Sequence, residues 1–198
     1  MVLNTYSPEE KFILQCLEKE LPGNLSYHGL HHTLDVFNAA MKIAATENLS
    51  AEEIKLLRIA ILYHDAGFTA KYKDHEEKGC EMARKNLPSF GYTDGDIKII
   101  CGMIMATQIP QTPKTILEKI ICDADLDYLG RNDFYEISNT LFEEMKIYNN
   151  LHDEKEWNKI QKKFLDKHQY HTEFGKKHRE HKKQQYLQEI NQLVSSGN

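Results

Sequence analysis

Ionisable residues stand in three segments of the sequence where the surrounding pattern predicts the apolar interior of helices. The segments are YHGLHH at 27–32, YHDAG at 63–67 and DADLD at 123–127. The second and third follow apolar runs, and an ionised carboxylate in the core costs several kcal/mol unless it is paired or bound to a metal. Each segment alone is more typical of a hydrogen-bonded core histidine or a helix cap. Three of them in one chain indicate a catalytic or metal-binding site.

The spacing within the segments decides which side chains can meet. His28 and His32 are four residues apart, so they share one face if a helix already runs through both. His64 and Asp65 diverge by about 100° on a helix. Both can still reach one ion if the helix ends there, and Gly67 is typical of such an end.

Helix signals recur along the chain, and helices must therefore position these side chains. Ser7, Pro8 and Glu10 form an N-cap, a proline at the first helical position and a capping-box glutamate. The helix that begins after Ser50 carries apolar residues on nearly every face, which predicts a central, buried helix. Further helices are predicted over about 29–47, from Asp74–Glu77 onward, over 93–107, over ILEKIICDADLDYLG, and over about 132–148, 153–170 and 173–194.

No segment shows sustained period-two alternation or an Asn-Gly hairpin turn. We therefore expect an all-α, single-domain helical bundle of about seven to nine helices over residues 1–198, with the motif core at about 27–130. The C-terminal helices, at about 153–194, are the most polar. We expect them to pack on that core, or to pack as an arm.

Composition excludes several classes of protein. The chain has 198 residues, 40% hydrophobic and 28% charged, which is ordinary globular composition. No apolar run approaches the roughly 18 residues that span a bilayer, and the first residues lack the pattern of a signal peptide. The four cysteines form no CxxC pair and are expected to be buried free thiols. We expect a cytoplasmic protein that does not bind membranes.

Charge is unevenly distributed along the chain. The net charge is −5, yet residues 155–183 contain ten Lys or Arg and only four Asp or Glu. Such a stretch can attract phosphate locally, but it is too weak to indicate a nucleic-acid-binding protein. The oligomeric state is open, and a homodimer is compatible with the sequence.

The ordered set His32, His64-Asp65 and Asp125 resembles the H…HD…D signature of the HD-domain superfamily of metal-dependent phosphohydrolases. The segment YHGLHHTLDV resembles the family's YHN-x-x-H-T-x-x-V motif, and YHDAGF resembles its second motif. HEEKG and DADLDYLG are similar to segments of a bacterial branch. The resemblance covers about 27–130, with one departure: Gly29 stands where the family often has asparagine, close to His28.

The resemblance implies a metal centre. His32, His64, Asp65 and Asp125 would bind one octahedral-type divalent ion, for which Mn²⁺, Fe²⁺, Ni²⁺ and Zn²⁺ suit the mixed ligands, with Mg²⁺ as a second ion in some members. Asp65 could bridge two ions. His75 is a candidate ligand of a second ion, and its alternative interpretation is a helix-start residue beside Asp74.

The resemblance also implies metal-assisted hydrolysis. His28 is a candidate for protonating the leaving oxygen, and a residue that orients its neighbours is the alternative. Candidate phosphate contacts are Lys71, Lys73 and the loop residue Tyr72, together with Arg179 and Lys183 on a C-terminal helical face; solvated basic residues are the alternative. Asp123 is interpreted as a second-layer or capping residue and Asp127 as solvent-facing.

These observations predict a metal-dependent phosphohydrolase that cleaves a phosphoester or phosphoanhydride in a nucleotide-like or other small phosphorylated substrate. One alternative is a metal-containing helical module that binds a phosphorylated ligand or partner without turnover. Another is a di-iron oxygenase on an HD-type scaffold, which the extra histidine His75 keeps open.

Overall fold

The computed structural model describes residues 6–196, and all regular structure in that part of the chain is helical. The all-α prediction is confirmed, with ten α-helices rather than seven to nine among the described residues. The segment predicted as one helix over 173–194 is two helices that meet at Arg179. The helices are α1 (Pro8–Glu20), α2 (Leu30–Ala44), α3 (Ala51–His64), α4 (His75–Asn86), α5 (Asp94–Ala106), α6 (Ile116–Asp125), α7 (Phe134–Tyr148), α8 (Glu154–Lys167), α9 (Glu173–His178) and α10 (Glu180–Ser196). Short 3-10 helices span Ala66–Thr69, Leu87–Phe90 and Asp127–Gly130.

Capping boxes define where several helices begin. At Ser7, Ser50, Thr93 and Thr115 the cap side chain accepts a hydrogen bond from a backbone N–H, and the acid three residues later accepts one from the cap's own N–H. Asp74, at the predicted start of α4, holds the N-cap position, but its side chain does not act as a cap. Its backbone is left-handed (φ 53°), its side chain makes no capping hydrogen bond, and its carboxylate lies 3.8 Å from Lys71 Nζ.

The larger hydrophobic core is formed by α1 to α6. As its sequence predicts, α3 lies at the centre: Leu57, Ala60, Ile61 and Leu62 have no exposed surface although they point in different directions around the helix. The most hydrophobic helix therefore carries His64 at its end into the interior of the protein.

A second core lies beside the first and contains the C-terminal helices. Phe134 of α7, Leu165 of α8 and Ile190 of α10 pack there with Tyr27 and the segment 126–129. The helices α8 and α10 are polar overall, but each buries one narrow face that carries apolar residues. These helices therefore pack on the motif core and do not form an arm.

The cysteines are free thiols, as expected, and three of them, Cys80, Cys101 and Cys122, are buried, while Cys16 is half-buried. Between residues 6 and 196, no helix is long and apolar enough to cross a bilayer.

Candidate metal centre

Three helix termini bring the candidate ligands together. His32 lies in the first turn of α2, His64 is the last residue of α3, Asp65 follows it directly, and Asp125 is the last residue of α6. Residues at helix ends are freed from the 100° divergence of a continuing helix. Adjacent His64 and Asp65 can therefore face the same point.

Gly67 acts differently from its predicted role as the end of the helix. α3 ends at His64, and Gly67 lies within the 3-10 helix Ala66–Thr69. A Cβ atom on Gly67 would lie 1.9 Å from the backbone oxygen of His75. The glycine is needed because this turn packs directly against the start of α4.

The ligand atoms converge within a few ångströms. His32 Nε2 lies 3.1 Å from Asp125 Oδ1 and 3.5 Å from Asp65 Oδ2. His64 Nε2 lies 3.3 Å from Asp65 Oδ2 and 3.6 Å from Asp125 Oδ1. One ligand atom each from His32, His64 and Asp125 lies within 4.8 Å of the other two. His32, His64 and Asp125 thus surround a single point, and Asp65 Oδ2 lies beside both histidines.

Buried polar atoms without partners show that this point fits a cation. His64 Nε2 and Asp65 Oδ2 are buried and accept or donate no hydrogen bond among the described residues. His64 Nδ1 donates to the backbone oxygen of Ile61 at 2.6 Å, so the neutral ring, which is the form that binds a metal, has its lone pair on Nε2, beside the cluster. Imidazole nitrogen and carboxylate oxygen together suit Mn²⁺, Fe²⁺, Ni²⁺ or Zn²⁺.

The electrostatic field at the centre is negative. Burial lowers the pKa of His64, but the adjacent carboxylates of Asp65 and Asp125 outweigh burial and raise this pKa well above its ordinary value. Burial raises the pKa of Asp125, while its hydrogen bond with His32 and the His64 ring 3.6 Å away bring this pKa down to about 2. Two ionised carboxylates in a buried site favour a bound cation.

His75 approaches the other face of the Asp65 carboxylate. Its Nε2 lies 3.3 Å from Asp65 Oδ1 and 3.5 Å from Glu76 Oε1. Asp65 therefore has one oxygen toward His32 and His64 and the other toward His75. This is the arrangement that a bridging carboxylate needs, and Glu76, which is buried, adds a further oxygen.

His28 lies just before α2 and is held by a buried glutamate of α7. Its Nδ1 contacts Glu144 Oε1, and Tyr72 Oη donates to the same oxygen at 3.0 Å. The backbone N–H groups of Tyr27 and His28 donate to Glu144 Oε2 at 2.9 and 3.0 Å. Burial raises the pKa of Glu144, but these hydrogen bonds, that of His28 first, hold it below its ordinary value. The ionised carboxylate fixes the ring of His28.

A cavity of about 270 Å³ opens beside the centre. The ionisable residues that line it gather at one end and include the ring of His28 and the carboxylates of Asp65 and Asp125. The other end is walled mainly by apolar side chains of α7 and α8, namely Leu141, Met145, Trp157, Ile160, Phe164 and Leu165. The cavity thus joins a charged end to an apolar cleft.

The candidate phosphate contacts are not brought to this cavity among the described residues. Lys71 and Lys73 are exposed on the loop before α4, and Tyr72 in the same loop binds Glu144. Arg179 donates to both carboxylate oxygens of Asp127, at 2.7 and 3.2 Å. Lys183 is buried and donates to the backbone oxygen of His168 at 2.5 Å. Arg179 and Lys183 therefore hold the C-terminal helices in place, contrary to the solvated or phosphate-binding face expected.

The two aspartates that flank Asp125 have structural roles. Asp123 is buried and accepts hydrogen bonds from the backbone N–H groups of His171 and Thr172, both at 2.8 Å, so it anchors the segment before α9, whose N-cap is Thr172. Asp127 was predicted to face solvent, and this is wrong. It is only 4% exposed because Arg179 pairs with it.

Two acidic residues of the site were missed in the sequence. Glu144 stands in the polar run FEEMK, where its pattern is that of a solvated face, and its partners lie more than 70 residues away. Glu76 follows the α4 start and resembles an ordinary acidic first turn. The adjacency of Glu76 to His75 in HEEKG is the one local signal that could have indicated it.

The HD domain family profile matches residues 29–127, which is half of the chain. Among solved structures, a predicted HD superfamily hydrolase from an uncultured Thermotogales bacterium is similar to this chain. The TM-score is 0.63 and the identity 20%, over 96% of this chain and 94% of that one. At this identity the likeness shows a shared fold. No curated protein matches the sequence.

Proposed function

This chain belongs to the HD domain family, and we propose that it is a metal-dependent phosphohydrolase that cleaves a phosphoester or phosphoanhydride bond in a small phosphorylated substrate. The observation that carries the proposal is the convergence of His32, His64 and Asp125 on one point, with Asp65 beside both histidines, at the end of an open cavity. Two ligand atoms there are buried without partners. Such a site is costly without a cation and accessible to a substrate with one.

A divalent ion such as Mn²⁺, Fe²⁺, Ni²⁺, Zn²⁺ or Mg²⁺, when bound, would lower the pKa of a water molecule towards neutrality and neutralise charge on the phosphate. Asp65 presents its two oxygens in different directions, toward His64 and toward His75. We infer that Asp65 is the central ligand and that His75 and Glu76 provide for a second ion.

His28 is the residue placed to move a proton. Its Nδ1 faces the ionised Glu144 and therefore carries hydrogen, while the ring also lines the cavity next to the centre. We infer that Nε2 donates a proton to the leaving oxygen as the ester bond breaks. Glu144 acts through His28 and is a positioning residue.

Metal analysis combined with phosphate release tests the proposal. Asp65→Ala and Asp65→Asn should each lose bound metal and phosphatase activity, because both remove the charge that faces the two ion positions. Asp166→Ala, an exposed aspartate of α8, is the matched control and should keep both. Retention of metal and activity in the folded Asp65 variants would show that the assignment is wrong.

The same measurement separates the alternatives. Bound metal without phosphate release from any ester would favour a binding module without turnover. Two irons per chain with consumption of O₂ would favour an oxygenase, for which His75 and Glu76 beside Asp65 are the relevant observation.

A further inference from the structure

We propose that the substrate is a phosphate monoester of a small apolar alcohol, alkyl or aryl, whose apolar part occupies the cleft between α7 and α8. The inference rests on the proposed function, since the phosphate would lie at the metal centre. It departs from the expectation of a nucleotide.

The cleft offers apolar contacts and few free polar groups. Leu141, Met145, Trp157 and Phe164 line its wall. The two polar side chains that α7 and α8 contribute already have partners: Ser138 Oγ donates to Gln161 Oε1 at 2.5 Å, and Gln161 Nε2 donates to Asn158 Oδ1 at 3.3 Å. A base or a sugar placed there would bury polar edges without partners, which is unfavourable. An alkyl or aryl group would not.

The charge of the residues that line the cavity limits how many phosphate groups a ligand can carry into it. No Lys or Arg of the described chain lines the cavity. Lys163 and Lys167 line a neighbouring pocket, and the wall between the two contains Ile109, Leu126, Ile160 and Phe164. A triphosphate would bring several negative charges into a cavity without side-chain cations, whereas a single phosphate can be neutralised at the metal centre.

The size of the cavity agrees with a small alcohol. Its volume of about 270 Å³ lies near the lower limit of roughly 300–1,000 Å³ for small-molecule sites. One phosphate and a short apolar group match such a volume better than a nucleoside triphosphate.

Trp157 makes occupancy of the cleft directly measurable. It is the only tryptophan in the chain, and it lines the cavity, stacked on Phe142 with ring centroids 5.5 Å apart. Its intrinsic fluorescence therefore reports on this site alone. The readout needs no turnover.

The experiment titrates the metal-loaded full chain with hexylphosphonate and with methylphosphonate, which have the same head group and cannot be hydrolysed at the C–P bond. We expect hexylphosphonate to change Trp157 fluorescence and to bind at least about tenfold more tightly, since every 1.4 kcal/mol of apolar contact gives a factor of ten. Equal affinity for the two phosphonates would overturn the proposal.

Two matched variants locate the binding. Ile160 and Ile147 are exposed isoleucines, 37% and 58% respectively, and only Ile160 lines the cavity. Ile160→Lys should weaken hexylphosphonate binding about tenfold and leave methylphosphonate unchanged, while Ile147→Lys should alter neither. Equal effects of the two substitutions would place the tail elsewhere and refute the cleft.

Turnover separates this inference from the proposed function. We expect kcat/KM for hexyl phosphate to exceed that for AMP and ATP by at least about tenfold. Preference for ATP or AMP would keep the phosphohydrolase and overturn the apolar substrate. Absence of hydrolysis with tail-dependent Trp157 binding would keep the cleft as an apolar ligand site and refute the phosphohydrolase.

Discussion

Glu144 is the position where a single substitution should be most informative. Glu144→Ala removes the acceptor of four hydrogen bonds, two of them from the backbone N–H groups of Tyr27 and His28. The side-chain donors of His28 and Tyr72 are half-buried and can turn to water, whereas the two N–H groups are fixed by the chain. Each buried donor left without a partner costs about 1–3 kcal/mol, so the free energy of unfolding should fall by about 2–6 kcal/mol for the two N–H groups. The small void that the shortened side chain leaves adds to this cost.

The adjacent residue provides the control. Glu143 is exposed and pairs with Lys146 of the same helix, and a surface pair of this kind contributes about 0–1 kcal/mol. Glu143→Ala has the same chemistry, the same helix and nearly the same sequence position. The difference between the two variants therefore isolates burial and hydrogen bonding.

Urea unfolding at fixed metal concentration measures both variants, and the free energy follows from the midpoint at unchanged slope. Glu144→Gln keeps the side-chain size but loses the charge, so its destabilisation should lie between those of the two alanine variants. It should also reduce turnover of esters with poor leaving groups more than that of activated esters. Equal midpoints for Glu144→Ala and Glu143→Ala would refute the role of this carboxylate in the fold.

Three further predictions concern the centre and the C-terminal core. His28→Ala should lower turnover of esters with poor leaving groups by about 10²–10⁴, with a much smaller loss on activated aryl phosphates; an equal loss would indicate positioning alone. With metal at 100 times its dissociation constant, a chelator should lower the free energy of unfolding by about 2.7 kcal/mol, or the melting temperature by roughly 5–11 °C. Mn²⁺ should restore the loss, and neither effect should occur in Asp125→Ala. Burial and the ammonium of Lys183 lower the pKa of His168 from 6.5 to about 3, so the unfolded chain binds more protons between these values. Stability should therefore fall by about 2 kcal/mol from pH 7 to pH 5, and by less in His168→Gln; parallel pH profiles of the two proteins would contradict this.

Local signals in the sequence predicted most of the helices. Capping boxes at Ser7, Ser50 and Thr93 act within four residues, and the structure has them where the pattern places them. The burial of α3 could also be predicted, because a helix with apolar residues on every side has no face suited to solvent. For the same reason the approach of His64 and Asp65 to the interior could be predicted.

Long-range pairing accounts for what could not be predicted. Asp127 and Arg179 are 52 residues apart, and each alone has the pattern of a solvated charge. Lys183 is buried because its ammonium group finds the backbone oxygen of His168, a partner that no sequence pattern indicates. Glu144 is hidden in the same way, since its donors come from segments before α2 and before α4. Whether a polar residue on a helix is buried or exposed can be decided only when the segment that packs against it is known.

Metal binding and the shaping of the cleft are assigned to different parts of the chain. All four ligands lie before residue 126, on helices of the first core, while most of the apolar wall comes from α7 and α8, after residue 133. Insertions or substitutions in α7 and α8 can therefore reshape the cleft without displacing a ligand. Exchange of these helices between relatives would be a direct route to altered substrate selectivity with an unchanged metal affinity, provided that two features are kept: the segment 126–129, which the second core shares with them, and Glu144 of α7, which holds His28.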